Sequence, residues 1–71
     1  MFNRNALKHA MIDADCSNRE LAEACEISPS ALYRRLNGSV PFTLGEIDHC
    51  VLRLGLTPTR RDQIFFAPEV T

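Results

Sequence analysis

The sequence contains no tryptophan, only three glycines and no long apolar run. A membrane-spanning helix needs about 18 consecutive apolar residues, and no stretch of this chain approaches that length. The N-terminal segment MFNRNALKHA has no continuous apolar stretch either, so we do not expect a secretory signal there. No segment alternates apolar and polar residues as a half-buried strand does, which predicts an all-α fold.

Patterns for catalysis and metal binding are missing as well. The three cysteines, Cys16, Cys25 and Cys50, match no zinc spacing, and we expect reduced, structural thiols in a cytoplasmic protein. His9 and His49 do not complete a metal site and fall on polar helical arcs, so both are predicted to be solvated. No nucleophile and base occur in a supporting context, and no glycine loop could hold a nucleotide. The sequence therefore predicts no enzymatic activity, no cofactor and no small-molecule ligand.

The net charge of −1 counts against nucleic-acid binding, because Lys and Arg contacts to phosphate supply most non-specific affinity. The distribution of the charges softens that objection. From Ile27 to Gly45 the only charged residues are Arg34 and Arg35, and all nine acidic residues lie outside this stretch. A locally positive face on an acidic domain is therefore expected. With 71 residues and 45% apolar composition, residues 1–71 are predicted to form one domain.

Capping and breaking residues divide the chain into five short helices. Ser17 and Thr43 are each followed three residues later by a glutamate, the pattern of a capping box. Ser28 and Thr57 each precede a proline, which is favoured at the first helical position. Glycines follow the third and fourth helices, where a left-handed residue ends a helix. The predicted helices are Asn3–Ala14, Asn18–Cys25, Pro29–Asn37, a fourth between Thr43 and Gly55, and a fifth from Pro58 to near Phe66.

Apolar residues recur at helical spacing and define the side of each helix that faces the core. On the third helix, Leu32 and Leu36 fall together at roughly 100° per residue. Arg35 borders this arc, where its stem can cover apolar surface while its head pairs with an acid. The other predicted core stripes are Ala6, Leu7, Ala10, Met11 and Ala14 on the first helix, Leu21, Ala22 and Cys25 on the second, and Leu44, Ile47, Cys50, Val51 and Leu54 on the fourth.

The segment SNRELAEACEISPSALYRRLNG places two short helices on either side of a very short turn, which is typical of a helix-turn-helix. Its Ser17-Asn18, Glu20-Leu21-Ala22, Ile27-Ser28 and Asn37-Gly38 resemble the lambda-repressor/Cro-like (XRE-type) helix-turn-helix family. The continuation LNGSVPFTLGEIDHCVLRLGL is similar to the loop and fourth helix of the small phage-type members. The resemblance covers about residues 4–66 and implies a compact five-helix domain.

Two positions depart from that family. Glu26 stands in the turn where members usually carry glycine. Because a left-handed glutamate is strained by about 1 kcal/mol, we expect this turn to be shaped slightly differently. Met11 and Leu36 stand where many members pair an arginine with a glutamate, so an apolar contact is expected to replace that ion pair.

The outward arc of the third helix carries Ser30, Tyr33, Arg34 and Asn37, with Pro29 at its edge. Arg34 can bind guanine O6 and N7 in a bidentate manner, Ser30 can reach a base edge, and Tyr33 can contact a thymine methyl. A solvated face is the alternative interpretation for Arg34, and a partly buried rim residue is the alternative for Tyr33. The predicted base-reading residues are Pro29, Ser30, Tyr33 and Arg34.

The family resemblance implies further contacts, to the phosphates of double-stranded DNA. Asn18, at the start of the second helix, would clamp one phosphate. The loop after the third helix and the start of the fourth would hold adjoining phosphates. The predicted phosphate-binding residues are Asn18, Ser28, Asn37, Ser39 and Thr43.

The resulting expectation is a sequence-specific transcriptional regulator of the repressor/Cro type, of phage or mobile-element origin, with its third helix in the major groove. Family members bind two half-sites as dimers, and we predict a homodimer through Leu52, Phe65 and Phe66 near the fourth and fifth helices. The alternative function is a protein-interaction module, antitoxin-like or anti-repressor-like. The negative net charge favours this alternative, whereas the acid-free arc of the third helix favours DNA.

Overall fold

A computed structural model describes residues 2–66, and within them the chain forms five α-helices and no strand. The all-α prediction is therefore confirmed. None of these helices combines the length and apolarity needed to cross a membrane. The helices are α1 (Arg4–Asp13), α2 (Asn18–Ala24), α3 (Pro29–Leu36), α4 (Leu44–Leu54) and α5 (Pro58–Phe65).

Every helix begins at a side chain that accepts a hydrogen bond from the first turn. The Ser17 hydroxyl accepts from the Glu20 N–H at 3.1 Å, and the Glu20 carboxylate accepts from the Ser17 N–H at 3.0 Å. Thr43 and Glu46 form a second capping box with the same two distances. Both predicted capping boxes are confirmed, because a cap depends only on residues within one turn. The predicted first helix is one residue too long at its start, since Asn3 is its N-cap. Four helices also end one residue earlier than predicted, because the predicted last residues are their C-caps: Ala14, Cys25, Asn37 and Phe66.

The core lies between the five helices, where α2 packs on α3 and α4, and α5 packs on α1 and α4. Leu7, Leu21, Leu32 and Ile64 are almost fully shielded from solvent, and each such side chain contributes about 2 kcal/mol of burial free energy. The predicted stripes on α1, α2 and α3 face this core, with Leu36 half-buried at its edge. The remaining buried residues are Ala10, Met11, Cys16, Ala22, Cys25, Ile47, Cys50, Leu54, Leu56 and Phe65.

Leu44 was predicted to face the core, and this prediction is wrong, since 72% of the residue is exposed. Leu44 is the first residue of α4 and lies at the edge of the apolar stripe, beyond the half-buried Val51. Side chains of a helix point towards its N-terminus, so this one extends past the end of the core.

Three phenylalanines from distant parts of the chain form one aromatic cluster. The Phe42 ring lies 5.2 Å from the ring centroids of both Phe2 and Phe65, and the latter two are 6.0 Å apart. The cluster joins the N-terminal segment, the loop after α3 and the end of α5. Phe65 is only 7% exposed, so its predicted role as a dimer contact is wrong, whereas Phe66 is 49% exposed.

The turn between α2 and α3 contains a left-handed glutamate, so the expectation of a differently shaped turn is wrong. Glu26 has a φ of 58°, and the chain reverses there with the Ile27 N–H donating to the Ala22 carbonyl at 3.0 Å. A side chain with a Cβ is strained at such a φ, and glycine is not. Ile27 itself is half-buried and packs against the core. The turn therefore stores strain at the point that sets the angle between α2 and α3.

Replacing this residue in the variant Glu26→Gly should raise the free energy of unfolding by about 0.5–1 kcal/mol, because the left-handed strain is relieved. Urea denaturation followed by circular dichroism measures the change. Gly55→Ala is the reciprocal control: Gly55 has a φ of 63°, a Cβ there would meet nothing within 4 Å, and the variant should lose stability through strain alone. A Glu26→Gly variant less stable than the parent would contradict this account of the turn.

Candidate nucleic-acid interface

The outward arc of α3 is a continuous polar surface, while its opposite side is buried. Pro29, Ser30, Tyr33 and Arg34 are all exposed, and Tyr33 retains 62% of its surface. Leu32, on the inner side, is 1% exposed. This arrangement presents a short hydroxyl, a phenol and a guanidinium side by side, with no acid among them. Such groups can hydrogen-bond base edges in a major groove.

Arg35 fixes α3 to α4 through an ion pair with Glu46. Its Nε and Nη2 atoms donate to the two carboxylate oxygens at 2.7 and 2.9 Å, and Nη1 donates to the Ala31 carbonyl at 3.0 Å. The two side chains are only 15% and 11% exposed. The predicted pairing of Arg35 with an acid is confirmed, and Glu46 is the partner. Because two parallel hydrogen bonds define an orientation, the pair sets how α3 presents its outward arc.

Glu46 has a lowered pKa, with opposing causes. Burial acts to raise the pKa of this carboxyl group, but the Arg35 guanidinium and the Thr43 backbone N–H stabilise the charged form and bring it below the ordinary value. Glu20 also has a lowered pKa, first because its carboxylate accepts from the Ser17 N–H and then from the Ser17 hydroxyl. Both carboxylates therefore stabilise the fold only while they are ionised.

We expect the ionised Glu46 to make its full contribution to the free energy of unfolding above the ordinary glutamate pKa. This contribution should be lost as the pH falls through the lowered pKa of Glu46, because a group with a depressed folded-state pKa stabilises the fold only while it is ionised. Urea denaturation at a series of pH values between about 7 and 3 measures the effect. Glu46→Gln should be less stable at neutral pH and should lose part of this acid dependence. Equal pH dependence in the parent and the variant would show that Glu46 does not contribute to it.

The predicted phosphate-binding groups are all exposed, but several of their backbone donors are already used. The Ser39 N–H donates both to the Arg34 carbonyl and to the Asn37 side chain, each at 3.0 Å. The Thr43 N–H donates to Glu46 at 3.0 Å. The backbone N–H groups of Ser39 and Thr43 are therefore already paired, within the loop and within the capping box respectively. Their hydroxyl protons and the Asn37 side-chain NH₂ remain available.

Asn18 and Ser28 are both placed as predicted at the exposed starts of helices. Asn18 is the first residue of α2 and has its side chain in solvent. The Ser28 hydroxyl accepts from the Ala31 N–H at 3.1 Å, which leaves its proton free to be donated. Both side chains can therefore donate to a phosphate from the start of their helices.

The basic residues fall into two groups, according to whether the side chain forms an ion pair. Arginines 35, 53, 60 and 61 pair with Glu46, Glu20, Asp13 and Asp62, respectively. The other basic side chains, none of which has an acidic partner among residues 2–66, are Arg4, Lys8, Arg19 and Arg34. These four belong to α1, α2 and α3. Two of these ion pairs join arginines of α4 and α5 to acids of α1 and α2, and they leave the basic side chains of the first three helices, apart from Arg35, without an acidic partner among residues 2–66.

The predicted contact of Met11 and Leu36 is consistent with the packing, since both side chains line one small cleft. This cleft has a volume of about 90 Å³ and is also lined by Arg4, Lys8 and Asn18. Arg4 and Lys8 were not among the predicted site residues, although their spacing of one helical turn on α1 was visible in the sequence.

The cysteines and histidines form no cluster of three metal-ligating groups in the described part of the chain. All three cysteines are free and buried, and Cys25 and Cys50 lie with their Sγ atoms 3.6 Å apart. The hydrogen bond with the Cys25 thiol, and then burial, raise the pKa of the Cys50 thiol. His49 was predicted to be solvated, and this is wrong, since it is half-buried and its Nδ1 is shielded without a hydrogen-bond partner. The prediction used only the position of His49 on the polar arc of its own helix, and such a position does not show which other parts of the chain cover the side chain.

Comparison with known proteins adds one match. A family model described as winged helix-turn-helix DNA-binding matches residues 4–37, which contain α1, α2 and α3. No curated protein and no solved structure matches the chain. After α3 the described chain continues through a loop into α4 and α5 and forms no strand. The match therefore covers the three helices that carry the outward arc and the free basic residues.

Proposed function

We propose that this protein is a sequence-specific DNA-binding transcriptional regulator whose α3 lies in the major groove. The observation that carries the proposal is the acid-free exposed arc of Ser30, Tyr33 and Arg34 on a helix fixed by the Arg35–Glu46 pair. The helix-turn-helix match over residues 4–37 supports DNA as the ligand. The resemblance to lambda-repressor/Cro-like proteins supports the finer assignment to a repressor of phage or mobile-element origin, acting in the cytoplasm.

In this proposal the residues divide into two roles. Arg34 pairs with a guanine, while Ser30, Tyr33 and Pro29 contact neighbouring base edges or methyl groups. Asn18, Ser28 and the hydroxyls of Ser39 and Thr43 bind phosphates, as does the Asn37 NH₂. Phosphate contacts fix the position of the helix, and the base contacts give the sequence preference. The protein binds its target and catalyses no reaction in this account.

We further propose a homodimer, because a single helix-turn-helix covers only a few base pairs. Leu52 on α4 is 81% exposed and Phe66 at the end of α5 is 49% exposed, and α4 packs on α5. Exposed apolar residues on adjoining helices support self-association at this place. Phe65 is buried and takes no part.

The dimer is tested by the molar mass in solution. Light scattering at about 100 µM, a concentration above the dissociation constant of a weak dimer, should give twice the mass of the chain. Leu52→Asp should reduce the mass to that of a monomer. Leu44→Asp is the matched control, since Leu44 is 72% exposed on the same helix and should leave the mass unchanged. A monomeric parent protein would contradict the proposed dimer.

A second candidate function is a protein-interaction module, antitoxin-like or anti-repressor-like. The net charge of −1 favours it, because it limits attraction to phosphate. Selection from random duplexes at low and at physiological salt separates the two candidates. We expect a consensus sequence to be retained at both salt concentrations. Retention without a consensus that disappears above about 100 mM salt would overturn the specific regulator, since purely electrostatic binding weakens steeply with salt.

A further inference from the structure

The strongest feature outside the outward arc is the cleft where α1, the start of α2 and the end of α3 meet. Met11 and Leu36 provide apolar surface in this cleft, and the polar lining consists of Arg4, Lys8 and Asn18. Met11 is 6% exposed, whereas both basic side chains are exposed and have no acidic partner among residues 2–66. The cleft thus combines two positive groups and one amide around an apolar wall.

The two basic residues are placed where they act against the stability of their own helix. Arg4 is the first residue of α1 and Lys8 follows one turn later, and the first turn contains no acid. Positive charge near a helix N-terminus opposes the helix dipole. Like charges four residues apart on a helix also repel each other. Because folding does not explain this placement, an external anion is the simpler explanation.

The chemistry of the lining defines which anion fits. A guanidinium and an ammonium group donate several charge-assisted hydrogen bonds, and the Asn18 amide adds neutral donors. Their attraction for an anion is strengthened beside an apolar wall, where water is partly excluded. A phosphodiester fits such a lining, because its single negative charge is shared by two oxygens that both accept hydrogen bonds. The cleft adjoins the C-terminal end of α3, so it lies beside the helix proposed to bind bases.

We propose that Arg4 and Lys8, together with Asn18, bind a phosphate of the DNA backbone on the α1 side of α3. This inference rests on the proposed function and extends it to a helix that the sequence had not implicated. It also explains how a chain with a net charge of −1 attracts DNA, since the basic residues of α5 are paired with acids and those of α1 are not.

The test measures the dependence of DNA affinity on salt concentration. The double variant Arg4→Gln/Lys8→Gln should reduce the slope of log affinity against log salt by about 0.9 for each lost phosphate contact. Its preference for the selected duplex over a scrambled one should remain unchanged, and its melting temperature should be equal to or slightly above that of the parent. Arg60→Gln/Arg61→Gln is the matched control, because it changes the net charge equally on α5 and should leave the slope nearly unchanged.

Three outcomes would count against the inference. An unchanged slope for Arg4→Gln/Lys8→Gln, with specific binding intact, overturns the α1 contact and leaves the proposed function standing. An equal reduction in both double variants also overturns it, because net charge alone then accounts for the effect. A parent protein that retains no duplex overturns the proposed function, and this inference with it.

Discussion

The variant Arg35→Ala should lower the free energy of unfolding by about 3 kcal/mol, because the largely buried Glu46 carboxylate then loses the positive charge that compensates its own. It also removes the hydrogen bond to the Ala31 carbonyl and the apolar cover of the arginine stem. In a domain of this size a loss of that magnitude is a large part of the total stability. Urea denaturation at neutral pH, followed by circular dichroism, measures it.

The neighbouring variant Arg34→Ala is the matched control for this prediction. Arg34 is exposed and has no acidic partner among residues 2–66, so its removal should change the stability by less than about 0.5 kcal/mol. Two adjacent arginines on one helix are thus expected to differ several-fold in their structural effect. Similar losses in both variants would contradict the separation of the two residues into an anchor and a free ligand-binding group.

The effect of Arg34 is expected in DNA binding instead of in stability. Arg34→Ala should weaken binding to the selected duplex by about 1–3 kcal/mol, roughly 5- to 150-fold, and should relax the preference at one base pair. The physical reason is the loss of two parallel hydrogen bonds to a guanine edge. Fluorescence anisotropy with a labelled duplex, repeated with each base substituted at that position, measures both quantities.

Arg34→Lys distinguishes a base contact from a phosphate contact. Lysine keeps the positive charge but loses the planar pair of donors, so a base-reading Arg34 should be poorly replaced by it. Uniform weakening over all duplexes on Arg34→Ala, with recovery in Arg34→Lys, would assign Arg34 to a phosphate. The helix would then hold the DNA without its central base contact.

Features that depend on a few neighbouring residues could be predicted from the sequence. The capping boxes of Ser17 and Thr43 involve contacts within one turn of chain. The outward arc of α3 follows from helical geometry once Leu32 is assigned to the core. Each of these features has the geometry that local rules predict.

Features that depend on tertiary packing could not be predicted in the same way. The sequence predicted an acidic partner for Arg35, but the choice of Glu46 follows from how α3 and α4 pack. Phe65 is buried because Phe2 and Phe42, from opposite parts of the chain, meet it in space. Leu44 is exposed because α4 begins beyond the edge of the core. The pairing of acids with distant arginines likewise determines which basic residues stay free.

Discrimination between DNA sequences by the exposed arc of α3 is measured by the ratio of two dissociation constants. The ratio compares the selected duplex with a scrambled duplex of equal length and composition at about 150 mM salt, near physiological ionic strength. We expect the selected duplex to be preferred by at least about 10³-fold. This preference should be smaller in Arg34→Ala and unchanged in Arg4→Gln/Lys8→Gln. A ratio near one for the parent protein would contradict discrimination by this arc.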